Sequence, residues 1–69
     1  MRVTATILPT KKETVPVELP EGSTVEDLVR ALSYIPDGWI AVRGGRPIPV
    51  DEPLTDGDEL KLISVVSGG

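Results

Sequence analysis

With neither a cysteine nor a histidine among its 69 residues, this chain must hold itself together by packing alone. No disulfide and no conventional zinc cluster can substitute for a core. The chain lies near the size below which such staples become necessary. A thin core between two layers, one sheet and one helix, is what so short a sequence can fill. Apolar residues make up 39% of the sequence, and about half once the seven glycines are added, which is ordinary for a globular domain and argues against disorder.

The same absences narrow the chemistry. No thiolate is available, and the commonest general base is missing. An enzyme site would have to be assembled from carboxylates, lysines and hydroxyls, so a non-enzymatic role is expected. Net charge is −4, from 11 acidic and 7 basic residues. The basic residues do not cluster beyond Lys11-Lys12 and the pair Arg43 and Arg46, which disfavours nucleic acid as a direct partner. No apolar run reaches transmembrane length and no signal-peptide core is present, so a cytoplasmic protein without a membrane partner is expected. The chain contains no Asn or Gln and has seven prolines, a combination found in heat-adapted proteins.

Patterning then places the elements. Arg2 to Leu8 alternates apolar and polar residues and is rich in β-branched side chains, as a half-buried strand requires. Pro9 ends it, Thr10 to Lys12 form a turn, and Thr14 to Leu19 alternates again with Val15, Val17 and Leu19 on one face. Pro16 falls on the opposite face and lacks an amide hydrogen, which points to an edge strand. Two capping boxes overlap at the next boundary, Ser23 with Glu26 and Thr24 with Asp27. Thr24 is the preferred N-cap, because Val25, Leu28, Val29 and Leu32 then make one helical stripe. Pro36-Asp37-Gly38 closes that element.

Trp39 to Arg43 reads as a third strand, Gly44-Gly45 as a turn, and Arg46 to Val50 as a short strand. Leu54 is a lone apolar side chain expected to plug the core from a loop. Thr55 to Asp58 form a tight turn in which Gly57 supplies positive φ. Glu59 to Val66 is the last strand. A mixed sheet of four to five strands with one helix on one face satisfies this order, whereas an all-parallel doubly wound sheet does not.

The sequence finishes with Ser67-Gly68-Gly69. Two bare glycines can thread a channel too narrow for side chains and accept whatever backbone angles it imposes. The helix start Gly22 to Leu28, the Leu54-Thr55-Asp56-Gly57-Asp58 turn and the Val66-Ser67-Gly68-Gly69 ending together resemble the ubiquitin-like β-grasp proteins. Among these the chain resembles the sulfur-carrier branch, MoaD and ThiS, and most closely the small archaeal modifier proteins.

The resemblance implies a β-grasp domain over residues 1–66 and a flexible tail over 67–69. It further implies that an E1-like enzyme uses ATP to adenylate the carboxylate of Gly69, with Gly68 and Ser67 threading into that enzyme. The activated glycine then either joins a target lysine through an isopeptide bond or becomes a thiocarboxylate that supplies sulfur, for example to tRNA thiolation. Target proteins and a sulfurtransferase or tRNA-thiolation enzyme are the implied partners of a monomer that retains no cofactor and no metal. Two alternatives stay open: a dedicated carrier for molybdopterin or thiamine synthesis, and a noncovalent interaction module.

The remaining candidates follow from these two readings. Alternation puts Leu60 and Leu62 on one face of the last strand, leaving Ile63 and Val65 outward as a docking patch beside the tail. The alternative is a bulge that turns one of them inward. Lys61 is the first candidate acceptor for self-conjugation, because the resemblance aligns it with an acceptor lysine of close family members; Lys11 and Lys12 follow. Trp39 is expected in the core or at its rim. The acidic stretch Asp51, Glu52, Asp56, Asp58 and Glu59 reads as a solvated face, and Gly44-Gly45 lacks the lysine and helix of a phosphate-binding loop.

Overall fold

The computed structural model describes residues 1–8 and 12–65. The elements run β1 (Arg2–Leu8), β2 (Glu13–Glu18), α1 (Val25–Ala31), a 3-10 turn (Pro36–Gly38), β3 (Trp39–Arg43), β4 (Arg46–Ile48) and β5 (Glu59–Ser64). Strand order in the single sheet is β2-β1-β5-β3-β4, with β1 and β5 parallel and the other pairs antiparallel. The last strand in sequence is therefore the middle strand in space. A five-stranded mixed sheet carrying one helix is the arrangement the patterning called for.

Alternation decides which side of each strand is sealed. Val3, Ala5 and Ile7 of β1, Leu60 and Leu62 of β5, and Ala41 of β3 all point into the core. Val25, Leu28 and Val29 of α1 close it from above, and Leu19 and Leu54 fill it from loops. Leu32 is half-buried against the same cluster. At seven residues α1 is too short to persist in water alone, so burial of this stripe is what keeps it folded.

The helix start resolves the overlap between the two capping boxes. Thr24 is the N-cap, and its amide donates to the Asp27 carboxylate at 2.9 Å. Ser23 is buried and donates instead to the Pro20 carbonyl at 2.7 Å, while Glu26 is taken by Arg30 one turn on at 2.9 Å.

Three strand boundaries differ from the sequence reading, each for a local reason. β2 runs one residue earlier at both ends, Glu13–Glu18. Leu19 leaves the strand but continues the ladder, exchanging hydrogen bonds with Met1 at 2.9 and 2.8 Å. β4 stops at Ile48, because Pro49 has no amide to donate. β5 stops at Ser64, its last partner being Trp39, and a single further bond ties the Val65 amide to the Gly38 carbonyl at 2.9 Å. Pro16 lies outward on the edge strand β2, opposite Thr4, so the ladder loses nothing by its missing donor.

The loop before β5 is fastened at several points. Leu54 is buried, and its amide donates to the Ser23 carbonyl at 2.9 Å. Gly57 adopts φ 88°, a conformation that favours glycine, and its amide meets the Arg2 carbonyl at 2.7 Å. The Asp58 carbonyl accepts from Thr4 at 2.9 Å, setting the parallel register of β5 on β1. No helix among the described residues is long and apolar enough to cross a membrane.

Candidate functional site

The sequence points to the segment that follows β5, so the surroundings of that strand define the site. Strand β5 has neighbours on both sides. Whatever follows Ser64 is thus launched from the middle strand of the sheet, not from an edge. Core residues Leu60 and Leu62 alternate with Glu59, Lys61 and Ile63 on the face turned away from α1. No bulge interrupts that alternation.

On this outer face the register builds two rows. Ile63 stands beside Leu8 of β1 and opposite Ile40 of β3. Lys61 stands beside Thr6 and opposite Val42. Ile40 is 42% exposed and Val65 41%, whereas Ile63, Leu8 and Val42 are half-buried. An apolar row thus crosses three strands at the end of β5 from which the chain departs. Leu8 and Ile40 were not singled out from the sequence. Either face of Trp-Ile-Ala-Val-Arg can pass for the core side until the pairing of Ala41 with Leu62 fixes it.

Lys61 is exposed within a shallow groove of about 370 Å³ that is also lined by Thr6, Val42, Gly44, Gly45 and Glu59. Gly44 and Gly45 take φ values of 61° and 81° and form the turn between β3 and β4, leaving that side of the groove without side chains. Lys12 is exposed just before β2, with φ 50°. It does not line the groove. Lys11, Ser67, Gly68 and Gly69 lie outside the described residues.

The acidic stretch does not gather into one site. Asp56 accepts from the Arg2 amide at 2.7 Å, and Glu52 and Asp58 both turn to Arg43. Asp58 also accepts from the Thr55 amide at 2.9 Å and the Thr55 hydroxyl at 3.1 Å. Burial pushes the Asp58 carboxyl upward, but the Thr55 hydrogen bonds and the Arg43 guanidinium together outweigh it and hold the group below the usual carboxylate range. Among the described residues no three His, Cys, Asp or Glu side chains converge as metal ligands would. Glu52 and Asp58 lock β3 to the loop that feeds β5, and Asp56 ties that loop to β1.

Trp39 is half-buried against the core and stacks on Tyr34 with ring centroids 4.5 Å apart. It braces the end of β3 where Ser64 pairs, so its role here is support for the strand end.

Comparison with known proteins agrees with this architecture. The family model described as Small archaeal modifier protein 2 matches residues 1–66. The backbone is similar to that of SAMP1 from Haloferax volcanii, with 24% identity, 100% of each chain covered and a TM-score of 0.78. It is similar also to a Pyrococcus furiosus protein described as molybdopterin converting factor, subunit 1, with 24% identity, 94% and 98% of the two chains covered and a TM-score of 0.76. Caldiarchaeum subterraneum ubiquitin matches with 20% identity, 100% and 98% coverage and a TM-score of 0.72. At such identities the structural likeness speaks for the fold, which is the ubiquitin-like β-grasp.

Proposed function

The chain belongs to the small archaeal modifier protein 2 family, and from that premise we propose that it is a ubiquitin-like modifier and sulfur carrier that works through the carboxylate of Gly69. The observation that carries this reading is the family match, joined to a diglycine that follows the central strand of the sheet. An E1-like enzyme supplies the catalysis. The Gly69 carboxylate attacks the α-phosphate of ATP, pyrophosphate leaves, and an acyl-adenylate remains. This chain needs no acid or base of its own for that step, in keeping with its lack of His and Cys.

Two outcomes follow from the adenylate. A lysine amine on a target attacks the acyl carbon, AMP leaves, the amine loses its proton, and an isopeptide bond results. Alternatively a partner's persulfide displaces AMP to give an acyl disulfide, which a thiol of that partner reduces to the thiocarboxylate used in tRNA thiolation. The apolar row of Leu8, Ile40 and Ile63, with Val65, is the docking face for the activating enzyme in the cytoplasm. It lies at the end of β5 nearest the tail, so one partner can grip the body while drawing in Ser67 and Gly68. Where copies join one another, Lys61 is the acceptor, with Lys11 and Lys12 secondary.

The test is incubation of the full chain with ATP and an E1-like enzyme, read by intact mass and by peptide mapping. An adenylate at Gly69 is expected first. Trypsin cuts after Lys61, so a conjugated target lysine carries the remnant Leu62 to Gly69. Sulfur carriage appears instead as a terminus in which sulfur replaces one oxygen. Removal of Gly68 and Gly69 should abolish both products; a truncated chain that still conjugates and still supplies sulfur overturns the reading. Lys61→Arg should remove most self-joined chains and leave conjugation to other proteins intact.

A further inference from the structure

On the helix side of the molecule, away from Lys61 and Ile63, lies a second groove of about 240 Å³. Glu26, Arg30, Tyr34, Ile35, Asp37 and Val50 line it. Ile35 is 74% exposed and Val50 42%, so two large aliphatic side chains stand in water at one place. Neither backbone is free to withdraw them. Ser33 before Ile35 is held at φ 66°, and the Tyr34 amide is bonded to the Val29 carbonyl at 3.1 Å. Pro36 follows directly, and the Ile35 carbonyl accepts from Gly38 at 3.0 Å. Val50 is pinned by its carbonyl, which takes the Glu26 amide at 2.8 Å. Tyr34, between them, is fixed by its stack on Trp39. The groove is therefore formed in advance of any partner, which lowers the entropic cost of binding.

Its charge is one-sided. Among the described residues, the charged groups that line it are Glu26, Asp37 and Arg30, and the Arg30 guanidinium is already bonded to Glu26 at 2.9 Å. An occupant that fills the aliphatic gap must meet this uncompensated negative charge.

We infer that this groove is a docking surface for a peptide segment of a partner protein that sets an aliphatic anchor beside an arginine or lysine. The anchor buries against Ile35 and Val50, and the cation meets Asp37. A second copy of this chain is the poorer occupant, since at −4 it would bring net negative charge to a negative rim. The surface is separate from the face of Lys61 and Ile63. A partner held here can read the protein whether or not Gly69 is bonded to something else, so the inference does not depend on the activation chemistry.

The experiment is selection of a random twelve-residue phage-displayed peptide library on the full chain, followed by amide-shift mapping of the recovered peptides. The expected consensus pairs an aliphatic residue with Arg or Lys, and shifts concentrate at Glu26, Ile35, Asp37 and Val50. Ile35→Ser should weaken the recovered peptides by about tenfold, in keeping with loss of one buried aliphatic contact, and should fold normally because Ile35 is exposed. Asp37→Asn should weaken them by about threefold and blunt their salt dependence. Peptides that bind Ile35→Ser as well as the parent, a consensus without basic residues, shifts on the Lys61 face, or no selected binder would each overturn the proposal. A concentration-dependent dimer abolished by Ile35→Ser would assign the groove to a second copy and overturn it as well.

Discussion

Along β5, Leu60 and Leu62 are sealed against α1, whereas Lys61 and Ile63, one residue away on the same strand, face outward. The two faces of the sheet differ in kind as well as in exposure. The buried centre of the inner one is wholly aliphatic, from Val3, Ala5 and Ile7 through Leu60 and Leu62 to Ala41. The outer one mixes Thr4, Thr6 and Lys61 with Leu8, Ile40 and Ile63. A chain of this size has a single core from which to draw its stability, and it concentrates that stability on the inner face. The outer face is thereby released from the demands of packing and can carry side chains chosen for contact with other molecules.

The harshest test of this division is a pair of truncations on one strand. Leu62 is fully buried, so Leu62→Ala should cost about 2–5 kcal/mol, enough to threaten the fold of a domain this small. Ile63→Ala removes only cross-strand contacts with Leu8 and Ile40 and should cost less than about 1 kcal/mol. Urea titration of the two variants reads the difference. Equal losses would mean that the outer face contributes to the core after all.

A smaller effect sharpens the functional half of the comparison. Ile63→Ser and Ile40→Ser should each raise the KM for activation by an E1-like enzyme about tenfold, with kcat unchanged, because they remove uniform docking energy and leave the reacting carboxylate alone. Pyrophosphate exchange measured against protein concentration supplies both constants. An unchanged KM in both variants would move the docking face elsewhere. The helix-side variant Ile35→Ser serves as the control and should leave both constants at the parent value.

How much of this could be read from residues alone depends on whether the information is local. The strands β1 and β3, the helix stripe, the plug at Leu54 and the turn at Gly57 follow from spacing, alternation and backbone preference within a few residues. Strand order does not. Nothing near Glu59 to Ser64 says that this strand lies between β1 and β3, because that placement depends on pairs distant in sequence, such as Trp39 with Ser64 and Ala5 with Leu60. The same gap hid Ile40 and Leu8 from the sequence reading, while Ile63 was reachable by alternation on its own strand. The competing capping boxes show the limit in miniature. Both fit the sequence locally, the apolar stripe from Val25 favours Thr24, and the structure agrees, with Ser23 buried and bonded to the Pro20 carbonyl.

The smallest effect concerns how the active-looking strand is held in register. Asp58 ties the loop before β5 to Arg43 on β3 at 3.1 Å and to Thr55. Its carboxyl is depressed in the folded chain despite burial acting the other way. A depressed carboxyl adds stability that is fully present above its unfolded value, about pH 4, and is lost as pH falls through the folded one. Asp58→Asn should therefore lower the urea midpoint at neutral pH by less than Leu62→Ala does, and the gap between parent and variant should close on acidification below about pH 4. Because the Asp58 carbonyl, and not its side chain, sets the parallel register through Thr4, amide shifts of Lys61 and Ile63 should stay at their parent positions in the variant. Movement of those two signals would mean that the Arg43 lock reaches through to the outer face, and the separation between the faces would then be less complete than their side chains imply.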